Sequence, residues 1–317
     1  MRPQGYLKFS LPNETDWHSG ALSKPERDSS PNFWVRPFGG EEIGFRFLAT
    51  QNDFPESVFE SVNPMYEASK PEYLRLVSQA EQRCSKDLKK VVCSRTQFVS
   101  ANPSDCDAWL MKLRSNFPKA FVYMGQIPGY GHWIGATPEV LVQSKHDHMT
   151  TMALAGTKWG EQPFGQKEFD EQQLVTDTIL YDLGLTPDEA GARYERTFGD
   201  IRHLCTDITF DSTRSIHEIA NALHPTPAVC GMPKQNARAF LSEHEGYDRT
   251  LYTGYMLIDG IAEARAAFVN LRCAQIFQNG LRFYIGGGIN KDSNPESEWE
   301  ETERKLHVMM NAMQLHD

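Results

Sequence analysis

An α+β domain built on antiparallel strands is the fold class this sequence predicts. Strand-like runs of β-branched and aromatic residues recur between turn residues along much of the chain. Two of them, FVNLRCAQIF and LRFYIGG, flank Gln278-Asn279-Gly280, and an Asn-Gly between such runs is a strong hairpin signal. Helical runs interrupt the strands without the regular alternation of a βαβ array. The 317 residues suffice for one large domain or two ordinary ones. No low-complexity tract is long enough to serve as a linker, and no repeat at solenoid periods occurs.

From the N-terminus, MRPQGYLKFSLPNETDW lacks the apolar core of a signal peptide. The stretch from about Asp16 to Pro37 is rich in Ser, Pro and charge and predicts an irregular loop. KVVCSRTQFV, FVYMGQI and HWIGATPEVLVQS predict strands, as does MTTMALAGT after the polar turn Lys145-His146-Asp147-His148. Between Lys167 and Leu183, the residues Leu174, Val175, Ile179 and Leu183 fall near helical spacing. SIHEIANAL and NARAFLSEH predict two shorter helices. The C-terminal PESEWEETERKLHVMMNAMQL sets Pro295 at a first helical position after Ser293-Asn294, with acidic residues in the first turn.

Composition narrows the function classes. A formal net charge of -10 argues against a general nucleic-acid binder, which would show a basic face. An anionic small substrate remains compatible if local cations or a metal offset that field. The six cysteines form no CxxC pair and no zinc or disulfide spacing, so buried reduced thiols are expected. No apolar run approaches the ~20 residues of a membrane span. The expectation is a soluble cytoplasmic protein with no membrane association, and nothing requires a partner chain.

Four glutamates stand out as two pairs, Glu168/Glu171 and Glu298/Glu301, each at i,i+3 on a predicted helix and hence on one face. Two readings stay open on spacing alone. They are solvated faces, acidic as first turns commonly are, or oxygen ligands for a hard divalent cation. Gly286-Gly287-Gly288 follows the strand-like RFYI; it is a turn or a place where backbone approaches a ligand. Neither a dinucleotide fingerprint nor a Walker A motif is present. Arg272 lies between apolar residues on a predicted strand, where its fork would suit a carboxylate. Lys90 opens an apolar run, and Lys305 stands four residues after Glu301 as an i,i+4 partner. His203 and His224 are single histidines, a pattern more often structural than catalytic.

In combination these segments say more. LKKVVCSR, IGATPEVLV, LAGT, KEFDEQQLV, LHPTPAVCG, YDRTLYTGY, FVNLRCAQI, YIGGGI and SEWEETERKL occur in this order from about Leu88 to the C-terminus. Together they resemble the chorismate-utilising enzyme family, and within it the isochorismate-forming branch. The first 85 residues match poorly and form a divergent, shortened N-terminal part. The resemblance implies a single domain over 1–317: two stacked, largely antiparallel β-sheets surrounded by helices. It also implies a Mg²⁺-dependent isomerisation of chorismate to isochorismate, in which water attacks ring carbon C2 and the C4 hydroxyl leaves.

Roles carry over position by position. Lys90 matches the base that activates water; a lysine titrates near ~10.4, so such a base must be depressed to work near neutrality. Glu139, in GATPE, matches the general acid, which needs a raised pKa. Glu171 and Glu301 match direct Mg²⁺ ligands, and Glu168 and Glu298 match positions that reach the ion through water. The residue after the first ligand is usually His and here is Gln172. Arg272 matches the clamp on the enolpyruvyl carboxylate, with Tyr252 at the same end. Ala155, Gly156 and Thr157 of LAGT line the substrate site, while Gly286, Gly287 and Gly288 with Lys305 hold the ring carboxylate beside the ion. His203 matches a histidine near the reacting ring, in an orienting role.

Two positions separate branches of the family. Where an aminodeoxychorismate-forming branch carries a nucleophilic lysine, this chain has Ala155. Where the anthranilate branch has Phe-Pro, this chain has His224-Pro225. A salicylate-forming enzyme, which goes on to eliminate pyruvate in the same site, is the closest alternative. A non-catalytic chorismate-binding homologue is the other, and it would be expected to have lost the acid, base or metal residues. The product's use, in menaquinone or in siderophore biosynthesis, is not set by these motifs.

Overall fold

The computed structural model describes residues 4–26, 29–50, 59–61, 67–145 and 148–315. Four strands come first: β1 (Gly5–Ser10), β2 (His18–Ser23), β3 (Phe33–Arg36) and β4 (Ile43–Ala49). Then follow α1 (Lys70–Cys84), β5 (Lys90–Ser100), α2 (Cys106–Asn116), β6 (Phe121–Ile127), β7 (Gly131–Thr137), β8 (Val140–Lys145) and β9 (His148–Trp159). After α3 (Gln166–Leu183) come β10 (Tyr194–Phe198), β11 (Ile201–Asp211), α4 (Ile216–Leu223), β12 (Gly231–Met232) and α5 (Lys234–His244). The chain ends through β13 (Tyr255–Ile261), β14 (Ala264–Val269), β15 (Cys273–Phe277), β16 (Gly280–Ile289) and α6 (Pro295–Met313).

The strands pair in one continuous order, β10-β11-β9-β8-β14-β13-β3-β4-β2-β1-β6-β7-β15-β16-β5-β12. The expected two sheets are the halves of this ribbon, folded face to face. Between them lies an apolar layer containing Leu7, Phe9, Phe33, Phe45, Phe121, Met152, Met256 and Phe268. Phe121 of β6 stacks on Phe268 of β14, with centroids 4.3 Å apart and planes within 3°. Each such ring removed from water stabilises the fold by about 1.5–3 kcal/mol. Helices cover the outer faces: α2 and α6 lie on β6, β7, β15 and β16, while α3 and α4 lie on β8, β9, β11, β13 and β14. α1 and α5 pack beside β5.

The divergent N-terminal part supplies the join between the halves. β3 pairs with both β13 and β4, and β4 passes the ribbon on to β2 and β1. The irregular loop expected from Asp16 to Pro37 therefore contains two strands, β2 and β3. Their alternating burial fits strands half-buried on one face, and each is too short for its period to outweigh the surrounding Ser and Pro. His146 and Asp147 of the predicted polar turn lie outside the described residues. The predicted β15–β16 hairpin is present, with Phe277 opposite Gly280.

Local signals place the helices that matter for the site. Asn294 caps α6, its Oδ1 accepting from the Ser297 amide at 3.1 Å, with Pro295 next in line. α3 begins with the Gly165 amide donating to the Glu168 carboxylate at 2.8 Å and ends on the left-handed Gly184. α1 and α2, for which the sequence analysis names no run, fill the space beside β5 and on β6 and β7.

Candidate active site

Two short links among those that cross from one half of the ribbon to the other lie side by side. Pro138–Glu139 joins β7 to β8, and Asn270–Arg272 joins β14 to β15. The Val269 amide donates to the Glu139 carbonyl at 3.1 Å, and the Ala136 amide donates to the Arg272 carbonyl at 3.0 Å. Asn270 anchors the second link: its Nδ2 donates to the Leu251 carbonyl at 3.0 Å and its Oδ1 accepts from the Tyr123 hydroxyl at 2.6 Å. Arg272 is thus off the strand predicted for it. Its φ of 49° is the left-handed conformation a non-glycine residue adopts only at a cost, and such strain gathers at functional sites.

A cavity of about 940 Å³, open mouth included, lies beside these links. Lys90, Glu139, Ala155, Gly156, Thr157, Glu168, Glu171, His203, Tyr252, Arg272, Gly286, Gly287, Gly288, Glu298, Glu301 and Lys305 all line it. Every site residue named from the sequence is thereby brought to one place. Four cations, Lys90, Lys167, Arg272 and Lys305, line the cavity beside five glutamates, so an anionic ligand would need a bound cation to offset the carboxylates.

Gly156 shapes one wall. The β9–β11 register slips between His203 and Leu204, leaving Gly156 as the extra residue of a bulge at φ 71°. A Cβ there would meet the Glu168 backbone oxygen at 2.9 Å, so glycine also lets α3 approach β9. The bulge turns the Gly156 carbonyl to His203 Nδ1 at 3.3 Å, while Arg272 Nη2 stands 3.5 Å from His203 Nε2. Arginine only donates, so Nε2 carries the lone pair and Nδ1 the proton. Burial, with Arg272 and Lys305 nearby, pulls the His203 pKa down to about 3 and keeps the ring neutral. Glu139 is 4% exposed. Burial raises its pKa to about 7, against the opposing pull of Lys90, Arg272 and Arg196.

The four paired glutamates line the same cavity, but each faces an ammonium. Lys90 donates to Glu171 at 2.7 Å, Lys305 to Glu301 at 2.6 Å, Lys158 to Glu168 at 3.1 Å, and Lys167 lies 3.6 Å from Glu298. Among the described residues no three acidic, His or Cys side chains close on one point as a metal cluster. The expected convergence is therefore incomplete: the lysines hold the carboxylates at separate points along the wall. The donor set itself, hard carboxylate oxygens from two facing helix starts, fits an oxygen-ligated divalent cation. Burial and the neighbouring Glu301 raise the Glu298 pKa. Burial works the same way on Glu301, but Lys305 outweighs it and the net shift is downward.

The glycine run is strand, not turn. It lies in β16, where the Lys305 ammonium donates to the Gly286 carbonyl at 2.8 Å. A Cβ on Gly288 would stand 2.8 Å from Lys90 Cε and 3.0 Å from Glu171 Oε1, so glycine leaves room for that ion pair. Gln172 points away from the cavity and ties α3 to the sheet, its Nε2 donating to Thr206 Oγ1 at 2.9 Å and lying 3.3 Å from the Ala153 carbonyl. His224 is buried outside the cavity, 3.4 Å from the Phe38 carbonyl, as a structural histidine would be. All six cysteines are free, and only Cys106 is less than buried.

Sequence reasoning missed Lys167, which lines the cavity, and Arg196, whose charge reaches both Glu139 and His203. Lys167 stands directly before Glu168 and carried a signal as a cation amid the acidic residues. Arg196 lies on β10 with no local pattern to mark it.

Fold and cavity define a two-sheet α+β protein that gathers cations, an acid and paired carboxylates around one small-molecule site. Residues 45–314 match the sequence model of the family described as "Chorismate binding enzyme", and the chain belongs to that family. The match begins well upstream of Leu88 and takes in most of β4. Isochorismate synthase 2 of Arabidopsis thaliana is 31% identical over 246 residues, 72% of this chain and 44% of that protein. Isochorismate synthase EntC of Escherichia coli K12 is 29% identical over 249 residues, 72% of this chain and 63% of that protein. The chain thus spans between about two fifths and two thirds of these curated relatives. The solved structure of MenF, the menaquinone-specific isochorismate synthase of Escherichia coli, superposes with a TM-score of 0.78 at 19% identity, covering 98% of this chain and 88% of that one. No helix of the described residues is long and apolar enough to cross a membrane.

Proposed function

We propose that the protein converts chorismate to isochorismate. The observation that carries this reading is a buried carboxyl with a pKa of about 7, Glu139, sharing one cavity with the buried Lys90 and with Arg272. The names of the two curated relatives given above, both isochorismate synthases, support the same substrate.

Arg272 holds the enolpyruvyl carboxylate of the dianion, with Tyr252 at that end. The backbone amides around Gly287, with the side chain of Lys305, take the ring carboxylate. Lys90, once it has left Glu171 and lost its ammonium proton to solvent, accepts as a neutral amine a proton from water as the water oxygen bonds to C2. The ring double bonds shift, the C4–O bond breaks, and Glu139 gives its proton to the departing hydroxyl, so one water enters and one leaves. Neutral His203, fixed between the Gly156 carbonyl and Arg272, orients the ring and the clamp without titrating. Glu171 and Glu301 would hold Mg²⁺, with Glu168 and Glu298 a turn earlier behind them. When bound, the ion supplies positive charge to the ring carboxylate.

Purified protein incubated with chorismate and Mg²⁺, its products separated on a column, tests the reading. Isochorismate alone is expected. Salicylate with pyruvate would instead show the eliminating enzyme, and no turnover would overturn both.

A further inference from the structure

A second cavity, about 830 Å³ with its opening, backs onto the first. Leu88, Lys89, Asp170, Leu174, Asn290 and Lys291 are among its lining residues and do not line the main cavity. The two cavities share Lys90, Lys167, Glu171 and Gly288. The partition between them is therefore three charged side chains and one glycine. Its centre is the Lys90–Glu171 ion pair, 2.7 Å long, laid across Gly288, which has no side chain to fill the gap. A wall of side chains opens by rotation about their own bonds and needs no backbone shift.

We infer that this vestibule is the entry route for the reacting water. The inference rests on the proposed function, in which water has to reach Lys90. Lys90 lines both cavities, so the vestibule meets the main cavity at that side chain. A ring dianion held at both ends occupies the main cavity, while the vestibule stays available on the far side of Lys90. Its lining suits water: Lys89, Lys291, Asp170 and Asn290 offer donors and acceptors, and Leu174 on α3 sets its width. The ligand class is thus water reaching Lys90 from behind, by a path separate from the organic substrate.

A removable plug tests this. Leu174→Cys is treated with a methyl or a benzyl methanethiosulfonate, with labelling verified by mass. The unsubstituted protein and Tyr181→Cys receive the same treatment. Tyr181 is 85% exposed on the same helix and outside both cavities. The benzyl plug at 174 is expected to lower kcat roughly tenfold, leave KM for chorismate unchanged, and be reversed by reduction, with the methyl group and both controls near wild type. A wild-type kcat with position 174 fully benzylated would overturn the route, as would an equal loss in Tyr181→Cys. If the unsubstituted protein fails to convert chorismate, the proposed function falls on its own. A crystal structure then decides the vestibule without turnover: ordered water reaching Lys90 Nζ through it supports the route, and a dry, closed wall there overturns it.

Discussion

The first two turns of α3 and α6 each offer the cavity two glutamates three residues apart, but their charges are balanced by different means. On α3 both partners come from the sheet: Lys158 of β9 meets Glu168 and Lys90 of β5 meets Glu171. Since β9 and β5 belong to opposite halves of the ribbon, these ion pairs tie α3 to both. On α6 one partner is Lys305, a turn later in the same helix, and the other is Lys167, reaching over from α3. Equal spacing in sequence thus gives one helix that links the sheet halves through charge and another that is largely self-neutralised. The reactive lysine of the proposed mechanism belongs to the first kind of pair, where its release changes a tertiary contact. Lys305 belongs to the second, where it anchors a ligand beside a strand carbonyl.

Replacing the two lysines should separate these roles most sharply. Lys90→Ala is expected to lower kcat by roughly 10²–10⁴-fold, the range for losing a general acid or base. Glu139→Gln should do the same from the acid side. Lys305→Ala should instead act chiefly on KM. Steady-state kinetics of the three variants checks this, and a Lys90→Ala enzyme near wild-type kcat would remove the base from the scheme. In the wild type, a working acid of pKa about 7 predicts activity falling as pH rises through that value.

Metal titration compares the glutamates themselves. Glu301→Gln and Glu171→Gln are each expected to weaken Mg²⁺ binding by more than roughly 100-fold. Glu298→Gln and Glu168→Gln, one turn back, should cost about 10–100-fold, as supporting contacts do. Calorimetry without substrate reads this directly. Equal effects at all four positions would dissolve the ranking, and no effect at Glu301 would move the ion elsewhere.

A smaller effect concerns stability. The Glu139 carboxyl has a folded pKa of about 7 against an ordinary value of 4.5, so the unfolded chain ionises it first. Its burial costs nothing below pH ~4.5, where both states are protonated, and the cost grows until pH passes about 7. Glu139→Gln lacks that penalty. The variant should gain about 3 kcal/mol relative to wild type between pH 4.5 and pH 8, at ~1.4 kcal/mol for each tenfold change in proton affinity. Urea unfolding at the two pH values measures it, and parallel curves would deny the raised pKa.

Legibility differed with the length scale of each signal. The Asn279-Gly280 hairpin and the Pro295 helix start were readable because turn and cap chemistry lie within a few residues. β2 and β3 were not, since short strands with one buried face look like loop when Ser and Pro surround them. The break at Arg272 was hidden for another reason: the apolar run continues across it, and only the crossing between halves forces the chain to turn. For the site, ordered motifs led to the cavity-lining residues, but spacing could not tell which lysine meets which carboxylate. Lys167 stands four residues before Glu171, where helix spacing would pair them, yet it lies 3.6 Å from Glu298 on α6.

Behind the two glutamate pairs the contrast continues among uncharged groups. Gln172, next to Glu171, is fully buried, and its Nε2 lies 2.9 Å from both Thr176 Oγ1 and Thr206 Oγ1 and 3.3 Å from the Ala153 carbonyl. Tyr73 of α1 is equally buried, and its ring meets Trp299 of α6 edge-on at 5.7 Å. Its hydroxyl has no hydrogen-bond partner among the described residues. An amide whose nitrogen is paired, although its Oε1 has no partner among the described residues, and a wholly orphaned hydroxyl should respond differently to removal. Gln172→Leu strands buried groups that were paired and should destabilise by about 1–3 kcal/mol. Tyr73→Phe keeps the ring contact, relieves an unpaired polar atom, and should be neutral or stabilising by less than about 1 kcal/mol. Thermal unfolding of both variants decides the matter. A clear loss in Tyr73→Phe would mean that its hydroxyl holds a buried water beside Glu298 and Glu301, making the two sides alike after all.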